Sequence, residues 1–216
     1  MKKRVHRRGT ELKTDKGTLF IFSGPSGTGK GTILSEFTKK YGEYNLKYSV
    51  SATTRNPRSG EKDGVNYYFK SKDEFLSMID DDDFLEWSKF CDNYYGTPRD
   101  PVMKSLSDGY DIILEIETVG AANVKCKYPE AVSIFVLPPS LSELKKRLYG
   151  RGTEPDDIIK KRYDGAVNEI EKSYNYDFVI VNNNIDKAVE DFKSIIDSER
   201  LKAHVNKNTI TEVLKR

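Results

Sequence analysis

Short apolar runs alternating with helical stretches predict an α/β fold, a doubly wound parallel sheet with right-handed crossovers. Three observations carry that expectation. The runs TLFIFS from Thr18, IILEIE between Asp111 and Thr118, IFVL between Ser133 and Pro138, and FVIV between Asp177 and Asn182 are too continuous for half-exposed antiparallel strands. Leu141 to Tyr149 and Ile185 to about Ala203 carry helical spacing, the second with Ala188, Val189, Phe192, Ile195 and Ile196 facing inward. Finally, the first run passes through a glycine-rich turn into a helix from Thr32 to about Lys40, where Ile33, Leu34 and Phe37 fall at i, i+1 and i+4.

The chain of 216 residues fits one domain, or one domain carrying insertions. With 37% hydrophobic and 32% charged residues it has the composition of a globular protein, which excludes collagen, mucin-like stalks and elastic linkers. A net charge of +2, from 36 basic and 34 acidic residues, gives no reason to expect nucleic acid or an anionic membrane as partner. No run approaches the roughly 20 apolar residues of a membrane span, and the first 16 residues lack the apolar centre of a signal peptide. The two cysteines, Cys91 and Cys126, form no disulfide framework or zinc quartet and read as structural thiols. Together these features lead us to expect a cytoplasmic protein; monomer and homodimer stay equally open.

In chain order, residues 1–16 hold seven Lys/Arg against two acids and read as a flexible basic arm or a tag remnant, with a nucleic-acid-binding tail as the less favoured alternative. Residues 17–48, 98–149 and 168–200 supply the predicted core. Between them, 49–97 differs in kind: strand-like KYSVSATTR, a turn at Pro57–Gly60, then VNYYF, rich in Tyr and Arg, together an inserted lobe. Residues 150–167, rich in Gly and Arg and poor in core residues, read as a mobile lid, and 201–216 as a weakly amphipathic tail. The acidic run Asp80–Asp83 reads as a solvated loop rather than a metal site. His6 and His204 lie in terminal segments, and nothing resembles a nucleophile triad.

The strongest local signal is Gly24-Pro25-Ser26-Gly27-Thr28-Gly29-Lys30-Gly31-Thr32, a GxxxxGK match directly after a predicted strand and before a predicted helix. Glycines there let successive N–H groups turn inward around an anion, the helix N-terminus adds positive dipole, and Lys30 reaches the β- and γ-phosphates. Gly31 takes the place of the usual Ser or Thr after the lysine, which leaves Thr32 as a weak Mg²⁺ ligand acting through water. A phosphate loop by itself indicates only a nucleotide. In the inserted lobe, Arg55 and Arg58 flank a proline turn, with Tyr67 and Tyr95 further on. Arginine forks and phenolic hydroxyls are what a second phosphate, on an acceptor, requires; the alternative is a solvated hairpin tip.

Taken together, GPSGTGKGT, SATTRNPRSGEKDGVNYYF, FLEW, NYYGTP, ILEIE followed by Gly120-Ala121, LKKRLYGRGTE and VIVNN resemble the guanylate kinases of the nucleoside-monophosphate kinase group, in family order from about Thr18 to Ile196. The resemblance implies a P-loop NTPase-type core, a mixed α/β GMP-binding lobe at 49–97, a helical lid at 150–167, and Mg-ATP and GMP as substrates. It places Ser51, Arg55, Arg58, Tyr67 and Tyr95 at or around the GMP phosphate, and Glu86, Thr97 and Glu117 at guanine. Guanine presents N1–H and N2–H₂ as adjacent donors that a carboxylate such as Glu86 accepts, whereas adenine would meet it lone pair to lone pair. A buried mismatch of that kind discriminates by roughly 10⁴-fold. The resemblance also assigns Arg147, Arg151 and Arg162 to the ATP phosphates and the phosphoryl group in flight, and Asn182 to the vicinity of adenine. Lys30, Arg55 and these three arginines form the expected catalytic set. A lid closing over both nucleotides would exclude water as a rival acceptor.

Two positions depart from the family pattern: Glu117 stands where Asp is usual and Val119 where Gln is usual, a change expected to shift the guanine contacts or relax specificity. Two rival expectations follow from the same motifs. One is a kinase of this fold with another nucleoside monophosphate as acceptor; the other is a non-catalytic module that binds protein partners through a remodelled lobe. The intact loop, Lys30 and the lid arginines disfavour the second, and Arg55, Arg58 and Glu86 the first.

Overall fold

The computed structural model describes residues 16–90, 92–150 and 156–215. The chain opens with β1 (Leu19–Ser23), every residue of which is buried. Alternation sends Leu19 and Ile21 to one face of a sheet and Phe20 and Phe22 to the other, so apolar residues are needed at every position. Helix α1 (Lys30–Lys40) follows the glycine turn and buries Ile33, Leu34 and Phe37 against the Phe20/Phe22 face. Strand β2 (Leu46–Tyr48) lies at the edge of the same sheet.

The chain then leaves that sheet. β3 (Ala52–Thr53) and β4 (Tyr68–Phe69) pair in parallel, and α2 (Lys72–Asp80) starts at a capping box in which Ser71 and Glu74 satisfy each other's backbone N–H groups. β5 (Phe84–Phe90) and β6 (Asn93–Pro98) form an antiparallel pair, with β6 also antiparallel to β3. These strands make a four-stranded sheet in the order β4-β3-β6-β5, with Ala52, Phe75 and Phe84 as its own small core. The stretch KYSVSATTR, expected as one strand, is therefore divided between two sheets: Tyr48 ends β2 and Ala52 opens β3, because the chain passes from one sheet to the other across 49–51.

Helix α3 (Arg99–Ser107) returns the chain to β7 (Asp111–Glu115), then α4 (Thr118–Lys127), β8 (Val132–Leu137), α5 (Leu141–Tyr149), α6 (Asp156–Glu171), a 3₁₀ turn at Lys172–Asn175, β9 (Phe178–Val181), α7 (Ile185–Arg200) and α8 (Lys207–Leu214). The main sheet has five strands, all parallel, in the order β2-β7-β1-β8-β9. On one face α1 and α7 pack, α7 through the same five residues its periodicity selects; on the other, Val102, Leu106, Ala121 and Val124 come from α3 and α4. Each fully buried Phe or Ile of these two layers contributes about 1.5–3 kcal/mol. β1 sits centrally, between β7 and β8, so the crevice beyond its carboxyl end is where an open sheet of this type takes its ligand.

Two expectations are corrected. The segment after Gly150 was expected to be poor in core residues, yet Ile159 and Ala166 of α6 are buried against Leu144 and Leu148 of α5, because the two helices share an apolar seam. Of the thiols expected to be structural, Cys126 is exposed on α4 and packs in no core, while Cys91 lies outside the described residues. Among the described residues no helix is long and apolar enough to cross a membrane.

Candidate active site

The loop between β1 and α1 is shaped by backbone that only glycine adopts readily. Gly24, Gly27 and Gly29 have φ of 146°, 90° and 85°. At Gly24 a Cβ would also come within 2.4 Å of the Val136 carbonyl oxygen, and at Gly29 within 2.4 Å of Asn182 Nδ2. The loop is thus seated on the ends of β8 and β9. Thr28 is buried and donates to the Pro25 carbonyl at 2.9 Å, while Asn182 Nδ2 donates to the Thr28 carbonyl at 2.8 Å. Lys30 arches back over the loop, its Nζ donating to the carbonyls of Gly24 at 2.6 Å and Pro25 at 3.2 Å. Ser26, at the tip, accepts from Arg162 Nη1 of α6 at 3.3 Å.

Two cavities flank this loop. The first, about 420 Å³, is lined by Gly27, Gly29, Thr32, Arg147, Asn182, Asn183 and Ile185. Arg147 is held there by Glu143 at 3.3 Å and by the Asn182 carbonyl at 3.1 Å. The second, about 490 Å³, runs from Gly24 and Lys30 past Glu115 and Glu117 to Ser51, Tyr67, Glu86, Ser88 and Tyr95. A third cavity of similar size, about 510 Å³, lies at the amino ends of the strands, by Gly17, Val132 and Phe178. Size does not single out the site; proximity to the loop does.

In the second cavity β5 and β6 present cross-strand pairs. Glu86 lies opposite Thr97 and Ser88 opposite Tyr95. Glu86 is 9% exposed and Thr97 1%, and the Thr97 hydroxyl donates to Glu86 Oε1 at 2.7 Å. Burial pushes the Glu86 carboxyl above its ordinary pKa; the Thr97 hydroxyl opposes the shift and the nearby charge of Glu117 adds to it. The other carboxylate oxygen lies over Gly120 of α4, where a Cβ would come within 2.6 Å. Tyr67 and Tyr95 meet edge to face at 6.2 Å between ring centroids.

Arg55 is bound to Glu61 by both terminal nitrogens, at 2.9 and 3.0 Å, which raises the guanidinium pKa and lowers that of the carboxyl. Its guanidinium carbon stands 5.4 Å from the centre of the Tyr67 ring, at the border of the cavity rather than inside it. Arg58 is exposed on the same turn. Arg151 lies outside the described residues. Thr32 is brought to the first cavity and not to the one that holds Glu115, and Gly31 lies beside Glu115 in a shallow groove. Glu117 and Val119 are exposed at the rim of the second cavity.

Sequence reasoning overlooked Glu61, Ser88, Glu115 and Gly120. For Glu115 the signal was available, an acid closing an otherwise buried strand beside the loop. For the others nothing local sets them apart, since their surroundings come from other elements.

A glycine loop capping the central strand of a parallel sheet, with a lysine over it and a carboxylate-lined cavity alongside, defines a P-loop kinase with a separate acceptor site. Comparison with known proteins narrows the class. Residues 16–199 match the family model described as guanylate kinase. The chain is 48% identical over 198 residues to the guanylate kinase of Caldanaerobacter subterraneus subsp. tengcongensis, covering 92% of this chain and 95% of that one. With the guanylate kinase of Clostridioides difficile it shares 49% identity over 200 residues, 93% and 97% of the two chains. The crystal structure of guanylate kinase from Anaplasma phagocytophilum superimposes with a TM-score of 0.70 at 30% identity, over 89% of this chain and 90% of that one. The chain belongs to the guanylate kinase family.

Proposed function

We propose that this protein transfers the γ-phosphoryl group of ATP to GMP, giving ADP and GDP, with ATP phosphates on the loop and GMP in the cavity of about 490 Å³. The observation that carries this reading is the continuity of that cavity: Lys30 stands at one end and the buried Glu86–Thr97 pair at the other. Glu86 accepts the adjacent N1–H and N2–H₂ donors of guanine, Thr97 fixes its carboxylate, and Glu117 faces the same base from the rim. Ser51, Tyr67, Tyr95, Arg55 and Arg58 surround the acceptor phosphate.

The acceptor oxygen of GMP is already anionic, so the transfer needs no general base from the protein. What it needs is alignment and positive charge on the oxygens of the group in flight. Lys30 supplies charge from the loop, Arg147 and Arg162 from α5 and α6, and Arg151 from the segment between them. Asn182 and Thr32 border the adenosine side.

An ATP-using kinase of this family generally works with Mg²⁺, which when bound neutralises charge between the β- and γ-phosphates. The donor set fits an ion that arrives on the triphosphate: Glu115 offers one carboxylate at the loop, Gly31 offers no hydroxyl, and among the described residues no group of three or more acidic, His or Cys side chains is placed to hold a metal unaided. Glu115 would face the ion directly or through water, with Thr32 at most an indirect contact. Such a reaction belongs in the cytoplasm, where its nucleotides are.

The test is a coupled assay of ADP release from Mg-ATP with GMP, dGMP, AMP, UMP and CMP offered separately. Strong preference for GMP is expected. Preference for another monophosphate would move the protein to a sister activity, and silence with all five would abandon the reading.

A further inference from the structure

The acceptor phosphate needs Arg55, and the structure fixes which part of its guanidinium is already engaged. Nη1 donates to Glu61 Oε2 at 3.0 Å and to the Asn56 carbonyl at 2.7 Å, while Nη2 donates to Glu61 Oε1 at 2.9 Å. A guanidinium has five N–H donors and two forks, one across its terminal nitrogens and one along Nε and Nη2. Glu61 fills the first fork. The Nε–H and the second hydrogen of Nη2 make up the other, and it matches two oxygens of a phosphate as well as the first matches a carboxylate.

The pair is anchored more firmly than an ordinary surface ion pair. Its side chains are 16% and 19% exposed. Glu61 Oε2 also accepts from the Arg58 backbone N–H at 2.7 Å, and the Glu61 N–H donates to the Arg58 carbonyl at 3.0 Å. One carboxylate therefore ties together the turn that carries both arginines. The guanidinium lies beside the Tyr67 ring, and Tyr67 lines the cavity with Ser51 and Lys30.

We infer that Glu61 is a positioning residue for the acceptor phosphate: it grips Arg55 by one fork so that the other is held toward the cavity beside Tyr67 and Ser51. The inference rests on reading that cavity as the GMP site. A carboxylate bound to a phosphate-binding arginine has one other possible role, as a competitor that occupies the charge the phosphate needs. The two roles have opposite consequences. Removing a competitor tightens GMP binding, and removing a positioning group loosens it.

Glu61→Gln keeps the size of the side chain but gives up the charge and one of the two acceptor oxygens. We expect the KM for GMP to rise about tenfold with the KM for ATP within about twofold, since the lost order concerns one substrate. In calorimetric titration the affinity for GMP should fall by a similar factor while guanosine, which lacks the phosphate, binds variant and wild type alike. Glu61→Asp, read the same way, should show a smaller loss and serves if the Gln variant does not fold. An unchanged or lower KM for GMP in Glu61→Gln overturns the inference in favour of competition or irrelevance. Equal loss of GMP and guanosine also overturns it, because Glu61 would then support the lobe rather than the phosphate. A wild-type protein that ignores GMP removes the reading of the cavity and the inference with it. One that phosphorylates GMP while Glu61→Gln stays unmoved removes the inference alone.

Discussion

The two cavities beside the loop are built by different means. On the side of Asn182 and Arg147, shape comes from main chain: three glycines with positive φ, pressed against Val136 and Asn182, and a helix that begins where the turn ends. On the side of Glu86, it comes from side chains that hold one another, Glu86 by Thr97 and Arg55 by Glu61. A backbone-built site tolerates many side chains but few changes of glycine. A side-chain-built site recognises one ligand and fails one partner at a time. Binding phosphate, common to all nucleotides, suits the first construction, and discriminating a base suits the second.

The sharpest way to break this contrast is at Lys30, which belongs to the loop yet faces both substrates. Lys30→Ala should lower kcat on the order of 10²–10³-fold, with the KM for GMP changed only a few-fold, because its charge matters most when phosphoryl charge is in transit. Steady-state kinetics at saturating ATP would decide it. An unchanged kcat would leave Lys30 as a spacer of the loop, tied to Gly24 and Pro25 and nothing more.

Glu86→Gln attacks the other construction. The amide keeps one acceptor for Thr97 but presents an N–H₂ where guanine needs a second acceptor, so kcat/KM for GMP should fall about 10²-fold, the scale of a mismatched buried polar contact. The KM for ATP should stay near wild type. The wild-type enzyme carries a related pH signature. Burial raises the Glu86 carboxyl, and only its ionised form accepts from guanine, so the KM for GMP should climb on acidification at a higher pH than an ordinary carboxylate would give. Equal losses for both nucleotides would argue instead for a damaged fold.

The contrast also explains what the chain disclosed before its structure was known. The loop could be read directly, since GPSGTGKGT encodes backbone geometry residue by residue and its flanking strand and helix are strongly periodic. The Arg55–Glu61 clasp could not, although both residues stood in a quoted motif, because nothing in a string of letters says which acid closes on which arginine. β2 and β3, three and two residues long, are too short for a period to register, and they ran together as one expected strand. Helix α2 was overlooked despite its Ser71/Glu74 capping box, a signal that was present and unused. Gly120 acquires its meaning only from Glu86, which approaches it from another sheet.

Gly120→Ala turns that approach into a smaller, cleaner perturbation. A Cβ would lie 2.6 Å from Glu86 Oε2 and 3.2 Å from its Cδ, so the carboxylate must move away from α4 and strain its bond to Thr97. The helix itself gains, since Ala is favoured over Gly in a helix interior by about 1 kcal/mol. The expected result is a KM for GMP raised about tenfold, with the KM for ATP unaltered and no loss of melting temperature. A normal KM would mean that Glu86 has room to shift without losing the base, and that the side-chain construction is looser than it looks.

The smallest effect is on stability, and it runs against function. The folded-state pKa of Glu86 lies above its unfolded value, so folding favours the protonated form. Its contribution is fully present below the unfolded pKa and is lost as pH rises through the raised folded pKa, leaving a buried charge that opposes folding at neutral pH. Glu86→Gln removes that charge while keeping the Thr97 contact. The variant should therefore melt higher than wild type at pH 7, by about 2–4 °C if the relief is about 1 kcal/mol in a chain of this size. Below the unfolded carboxylate pKa the two proteins should converge. Thermal melts at pH 7.5 and at about pH 4 would separate this from a general packing effect, which would show the same difference at both. A lower melting temperature at pH 7.5 would mean that the ionised carboxylate is held by the lobe better than its burial suggests, and that guanine recognition is built there at no cost to the fold.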